Sequence, residues 1–156
     1  MSNSDLQSLV RDIVGQQCEG AQNPNGSVLS LDFGTLGRRA NDDPSATPHG
    51  WRHLTVLSPW RLESEAEIVI DWNTDGGTGG AIMPAIEGLI GQRVVAASTA
   101  PPGWDLRIRW SNGLTLVVFG DSTDDREDAW FILGTDGAEA GAVPVLRDVS
   151  KRGTPS

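Results

Sequence analysis

The sequence predicts an α+β domain in which two short helices pack on a largely antiparallel sheet. Three observations lead there. Nineteen Gly and nine Pro among 156 residues divide the chain into short pieces, because glycine weakens helix and strand interiors and proline breaks the hydrogen-bond ladder. Two segments carry apolar residues at helical spacing, and each ends on a glycine. Several runs of five or six residues alternate apolar with polar side chains, which is the period of a half-buried strand. Apolar residues make up 38% of the chain and six are Trp, enough to build a core, so residues 1–156 read as one folded domain.

The elements follow in order. Ser4 stands where an N-cap would, and Leu6, Leu9, Val10, Ile13 and Val14 recur at helical spacing, predicting a helix from Asp5 to Val14 closed by Gly15. Leu29, Leu31 and Phe33 alternate with Ser30 and Asp32, a strand. Residues Gly34 to Gly50 hold Gly, Pro, Asn and Asp without an apolar period, a long loop. His53 to Leu57 and Trp60 to Leu62 read as strands separated at Pro59, and Glu67 to Trp72 as another with Ile68, Ile70 and Trp72 on one side. Asp75 to Gly80 is a glycine-rich connector. Ile82, Ala85, Ile86, Leu89 and Ile90 form a second helix, with Pro84 in its first turn and Gly91 at its end. Arg93 to Ser98 is a strand and Pro101-Pro102-Gly103 a turn. Asn112-Gly113 between two apolar runs predicts a two-residue hairpin turn. Its register puts Leu106, Ile108, Trp110, Val117 and Phe119 on the core face, and Arg107, Arg109, Leu116 and Val118 outside. Ala129 to Leu133 is the last strand, and 145–156 a tail.

An internal repeat runs through this order. Leu9-Val-Arg-Asp-Ile-Val-Gly-Gln16 precedes a strand ending at Phe33, and Ala85-Ile-Glu-Gly-Leu-Ile-Gly-Gln92 precedes one ending at Trp110. Gly91 follows Gly15 by 76 positions and Trp110 follows Phe33 by 77. The expectation is an internal duplication with halves at 5–72 and 81–134, each a helix plus four strands.

Charge and composition bound the function. The formal net charge of −9 argues against duplex nucleic acid, whose phosphates reward a basic face. Cys18 is the single cysteine, so no internal disulfide forms. The first residues carry Asp5, Arg11 and Asp12 rather than the apolar run of a signal peptide, and no stretch reaches the roughly 20 apolar residues of a membrane span. A cytoplasmic protein without a membrane partner is expected.

Five places could carry chemistry. His49 and His53 stand four apart with Asp42 and Asp43 upstream, but Pro48 and Gly50 oppose a helix and no Cys or third His is available, so no metal is assigned. Asp75 to Gly80 precedes a helix but lacks the Lys and Ser/Thr of a phosphate loop. Cys18 would need a histidine brought to it by folding; a small buried apolar residue is the favoured reading. No Gly-x-Ser-x-Gly occurs, no carboxylate pair stands out, and neither catalytic residue nor cofactor is assigned. Asp121-Ser-Thr-Asp-Asp-Arg-Glu-Asp128 gathers five carboxylates in eight residues without calcium-loop spacing. It reads as a solvated connector or as an acidic partner-binding patch. Trp104, expected to be the more exposed type with Trp51, sits beside Arg107 and Arg109 as a binding hot spot.

The strand ending Phe33-Gly34, Trp60-Arg-Leu62, Leu89-Ile-Gly-Gln92, Asp105-Leu-x-Ile-x-Trp-Ser-Asn-Gly-Leu-x-Leu116 and an acidic loop leading to Ala129-Trp130 resemble small bacterial proteins, some of them immunity proteins of polymorphic toxin systems. The resemblance covers roughly Ile13 to Leu133, with Gly34 to Gly50 as an insertion. It implies a non-catalytic binding protein that caps a basic toxin domain. Asp121, Asp124, Asp125, Glu127, Asp128, Arg107, Arg109 and Trp104 are then the contact residues. The alternative is a small-molecule-binding domain or weak hydrolase with a cleft lined by Trp and carboxylates.

Overall fold

The structure is a computed structural model and describes residues 3–23, 28–34, 50–72, 81–100, 103–120, 129–134 and 139–142. Helix α1 spans Asn3–Asp12 and is followed by β1 (Cys18–Gln22), β2 (Leu29–Phe33), β3 (Arg52–Val56), β4 (Trp60–Glu63) and β5 (Ile68–Asp71). Helix α2 (Ile82–Glu87) opens a second series: β6 (Val94–Ala100), β7 (Asp105–Trp110), β8 (Thr115–Val118), β9 (Trp130–Gly134) and β10 (Glu139–Ala142). The α+β class with two helices and antiparallel strands is observed. The strands form two sheets rather than one, in the orders β1-β2-β3-β9-β10 and β5-β4-β8-β7-β6. Each helix therefore heads five strands, not four, because β1 and β10 belong to the sheets.

The inner faces meet in one core. Leu29, Leu31, Phe33, Leu54, Val56, Trp130 and Ile132 come from the first sheet; Trp60, Leu62, Leu106, Ile108, Trp110, Leu116 and Val118 come from the second. Helix α1 lies against the edge strands β6 and β10, and α2 against β1 and β5. Leu6, Val10 and Ile13 are buried from the first helical segment, and Ile82, Ile86 and Leu89 from the second. All four sheet edges thus lie beside a helix, one way to limit open pairing along an edge.

Both helices end earlier than the apolar spacing predicts. Helix α1 begins at Asn3, so Ser4 lies inside its first turn, and it stops at Asp12. Tighter turns follow, in which Gln16 N–H donates to Ile13 and Gln92 N–H to Leu89. Gly15 and Gly91 then take φ of +90°, which a Cβ would strain. Val14 and Ile90 consequently face outward, 42% and 44% exposed. In β5 only Ile70 points to the core; Ile68 and Trp72 are exposed.

The hairpin register differs from expectation by one residue. Trp110 N–H donates to Leu114 O, and Gly113 N–H to Trp110 O. The loop is thus Ser111-Asn112-Gly113, with positive φ at Gly113 and not at Asn112. This is the three-residue hairpin whose third position needs the left-handed region. Leu106 faces Val118 and Ile108 faces Leu116. The slip turns β8 over: Leu116 and Val118 enter the core, while Val117 and Phe119 leave it.

The backbone pairing has a two-fold pattern. Gly15 N–H donates to Val94 O and Gly91 N–H to Cys18 O, both at 2.8 Å. Cys18 N–H donates to Gln92 O and Val94 N–H to Gln16 O, both at 2.9 Å. Gln17 and Arg93, themselves 76 apart, form an antiparallel bridge with each other. At the far end Leu57 N–H donates to Ala129 O, and Phe119 N–H to Pro59 O, again both at 2.9 Å.

Candidate functional site

The outer faces of the two sheets carry the polar chemistry. On the first sheet, strand alternation turns Asp32 and His53 away from the core, and the register places them side by side, with Gly20 beyond Asp32 and Leu133 beyond His53. Asp32 Oδ1 lies 2.7 Å from His53 Nδ1 and accepts Gly50 N–H at 2.8 Å. Asp32 is only 8% exposed, so these partners compensate for its lost hydration. Two glycines give it room. A Cβ on Gly20 would stand 3.0 Å from the carboxylate, and one on Gly50 would stand 2.7 Å from Phe33 N. A carboxylate on Nδ1 fixes the imidazole orientation. His53 stands out in the sequence, but its Asp32 partner does not. Alternation put both residues on an outer face; the register joining them across residues 34–51 was the missing link.

Arg52, next along β3, points inward and is buried. Its guanidinium stacks on Trp51 at 3.8 Å from the ring centre and lies 3.6 Å from Asp12. This ties β3 to the end of α1.

On the second sheet the outer face is a row of charges. Arg61 and Glu63 project from β4, and Arg107 and Arg109 from β7. Glu63 takes Arg61 at 2.5 Å and Arg107 at 3.9 Å, while Arg109 reaches Glu65 at 3.0 Å. Val117 pairs directly with Arg61 and Arg107 on its two sides. It is 2% exposed although it faces outward, because the arginine stems flank it. Phe119 lies beneath the Arg61 guanidinium, 5.3 Å from its ring centre. The outward apolar pair Leu116 and Val118 expected beside Arg107 and Arg109 is therefore absent. A shallow cleft of about 780 Å³ opens beside this row, lined by Glu65, Ala66, Val95, Arg109, Trp110 and the Ser111–Gly113 turn.

Of the residues read from sequence as partner contacts, Arg107 and Arg109 are exposed on this face. Trp104 is not. It has φ +58°, is 2% exposed, and its carbonyl accepts Trp130 Nε1–H at 2.9 Å. Its ring fills the core, so the hot-spot role is corrected. Asp121, Asp124, Asp125, Glu127 and Asp128 lie outside the described residues, as do His49, the Asp75 to Gly80 connector and the 145–156 tail. The two ends of the acidic segment are described and firmly held. Gly120 N–H donates to Asp105 Oδ1 at 2.9 Å, and Ala129 O accepts both Leu57 and Ser58 N–H.

Cys18 is fully buried. Burial pushes its thiol up to about 12 from 9.0. The Gly20 carbonyl it donates to opposes the shift, and the Asp32 and Glu19 charges add to it. A thiol of that kind is a packed apolar group and not a nucleophile at neutral pH. Among the described residues no three His, Cys, Asp or Glu are grouped to hold a metal. No helix among them is long and apolar enough to cross a membrane. Comparison with protein-family models, with curated proteins and with solved structures gives no match.

Proposed function

We propose that this chain is a non-catalytic binding protein that captures a basic protein partner through Asp121, Asp124, Asp125, Glu127 and Asp128. Its concrete form is an immunity protein that neutralises a basic toxin domain. One observation carries the reading. The two-fold pattern makes the β8–β9 link the counterpart of the β3–β4 link, since Leu57–Ala129 and Phe119–Pro59 are reciprocal hydrogen bonds. The first half makes that crossing with Leu57, Ser58 and Pro59, whereas the second uses residues 119–129. The eight extra residues are the acidic run itself. A crossing that needs three residues has no structural use for five additional carboxylates, so their composition points to a task outside the fold.

Clustered carboxylates steer an oppositely charged partner and orient its docking. Arg107 stands two residues along β7 from Asp105, and Arg109 two further toward the Ser111–Gly113 turn; both would pair with acidic groups on that partner. The test is co-purification of the chain with the product of the neighbouring gene. Asp124→Asn, Asp125→Asn and Asp128→Asn together should lower the association rate at low salt by about tenfold or more and flatten its salt dependence. Binding indifferent to both salt and these substitutions would make the segment a solvated connector.

A second reading, a small-molecule-binding domain or weak hydrolase, draws on the Asp32–His53 contact and on the cleft beside Trp110 and Glu65. An imidazole oriented by a carboxylate is a competent general base. Hydrolysis of a simple activated ester at equal rates by the chain and by His53→Ala would remove it.

A further inference from the structure

We infer that the chain is a joined pair of like units that complete each other's sheets by exchanging a hairpin, so that the surface between the halves is a self-sufficient protein–protein interface whose partner is the other half. The sheet orders carry this. The first sheet takes β1, β2 and β3 from the first half and β9 and β10 from the second; the second sheet takes β6, β7 and β8 from the second half and β4 and β5 from the first. In each half three strands stay at home and the last two cross over. The junctions correspond as well: β3 pairs with β9, with Val56 facing Trp130 and Leu54 facing Ile132, and β8 pairs with β4, with Val118 facing Trp60 and Leu116 facing Leu62. The same bulge recurs in the home sheets, between Cys18 and Gly20 and between Val94 and Ala96. The bridge of Gln17 to Arg93 lies where a two-fold axis must pass, because there a residue meets its own counterpart.

The consequence is energetic. Neither half can bury its core faces alone. Without β9, the β3 edge loses its ladder partner and Leu54 and Val56 lose Trp130 and Ile132 as neighbours. Without β4, β8 loses Trp60 and Leu62 in the same way. Each helix also seals an edge of the opposite half's sheet: α1 lies on β6, and α2 on β1. Folding and association of the halves should therefore be one event, as in an obligate dimer.

The experiment starts from the full chain. A protease site placed between Gly77 and Thr78 is cut after folding, and the product is followed by gel filtration, Trp fluorescence and urea unfolding. The cut protein is expected to migrate as one complex of both pieces. It should unfold in one transition whose midpoint rises with protein concentration, which the uncut chain does not show. After denaturation and separation, a lone piece should be unfolded or paired with itself, and mixing should restore the native Trp spectrum at one-to-one stoichiometry. Two outcomes overturn the inference: a lone piece that regains a native Trp spectrum as a monomer, or mixed pieces that fail to reassemble under conditions in which the uncut chain refolds.

Discussion

The Asp32–His53 contact can be weighed by removing each partner separately and then both. In Asp32→Ala the buried Gly50 N–H loses its acceptor, at a cost of about 1–3 kcal/mol for an orphaned donor. His53 loses a charge-assisted bond at 2.7 Å, adding about 1–2 kcal/mol. Together that is about 3 kcal/mol. For a chain of 156 residues this lowers Tm by roughly 6–12 °C, at about 2–4 °C per kcal/mol. Asp32→Asn keeps an oxygen for Gly50 and should cost about 1 kcal/mol less than Asp32→Ala. The decisive quantity is the coupling. Urea unfolding of the chain, Asp32→Ala, His53→Ala and the double variant closes a cycle. If the pair is energetically real, the double variant should lose about 1–2 kcal/mol less than the two single losses combined. Additivity within about 0.3–0.5 kcal/mol would show that the carboxylate and the histidine are merely adjacent.

Further expectations rest on single residues. Gly113 has φ +88° and open space where a Cβ would go, so Gly113→Ala should cost only the backbone term, about 1 kcal/mol, and Gly113→Val more. Gly50→Ala should cost more than Gly113→Ala, about 1–3 kcal/mol or above, because its Cβ meets Phe33 backbone rather than a movable side chain; the order of their urea midpoints checks both. The Cys18 thiol ionises near 9.0 in an ordinary setting and near 12 in the fold, so the folded state holds the proton more tightly. Its contribution to stability is full below pH 9 and is lost as pH climbs from 9 to 12. Over that range the unfolding midpoint should fall more steeply in the chain than in Cys18→Ala, and at pH 8 iodoacetamide should label Cys18 only in denaturant. Deleting residues 121–128 leaves Phe119-Gly120-Ala129, the length of Leu57-Ser58-Pro59, so far-UV circular dichroism and the urea midpoint should stay close to those of the intact chain.

Elements with a strong apolar period were legible, and the errors have physical causes. Leu29 to Phe33 and Leu106 to Trp110 alternate cleanly, and both form strands with the expected faces. Strands β1 (CEGAQ) and β10 (EAGA) carry almost no large apolar side chains, so no alternation announced them; their ladders come from tertiary pairing. Asn-Gly suits both two- and three-residue hairpin loops, and Leu114 to Phe119 is apolar enough to be read in either phase. Packing against Trp60 and Leu62 chose the phase. Trp104 looked like a strand opener at the surface, yet its left-handed backbone turns the ring inward. At the candidate site, alternation alone placed Arg107 and Arg109 outside. The distribution of strands over two sheets was beyond reach, because it depends on which edges meet across long links.

Positions made equivalent by the two-fold pairing divide by the face they occupy. Inward, the apolar chemistry is largely kept: Leu29 answers Leu106, Leu31 answers Ile108, Phe33 answers Trp110, Leu54 answers Leu116, Val56 answers Val118, and Trp130 answers Trp60, while buried Arg52 stands where the second sheet has Leu114. Outward it changes at every step. Asp32 stands where the second sheet has Arg109, His53 where it has Thr115, Phe131 where it has Arg61, and Leu133 where it has Glu63. Close packing explains the first set, since a shared core tolerates little change in volume. It places no such demand on the second, where most substitutions would be neutral for folding. The links diverge too, one half carrying the long 34–51 segment and the other the acidic 121–128 segment. The frame common to both halves therefore carries two chemically distinct outer faces.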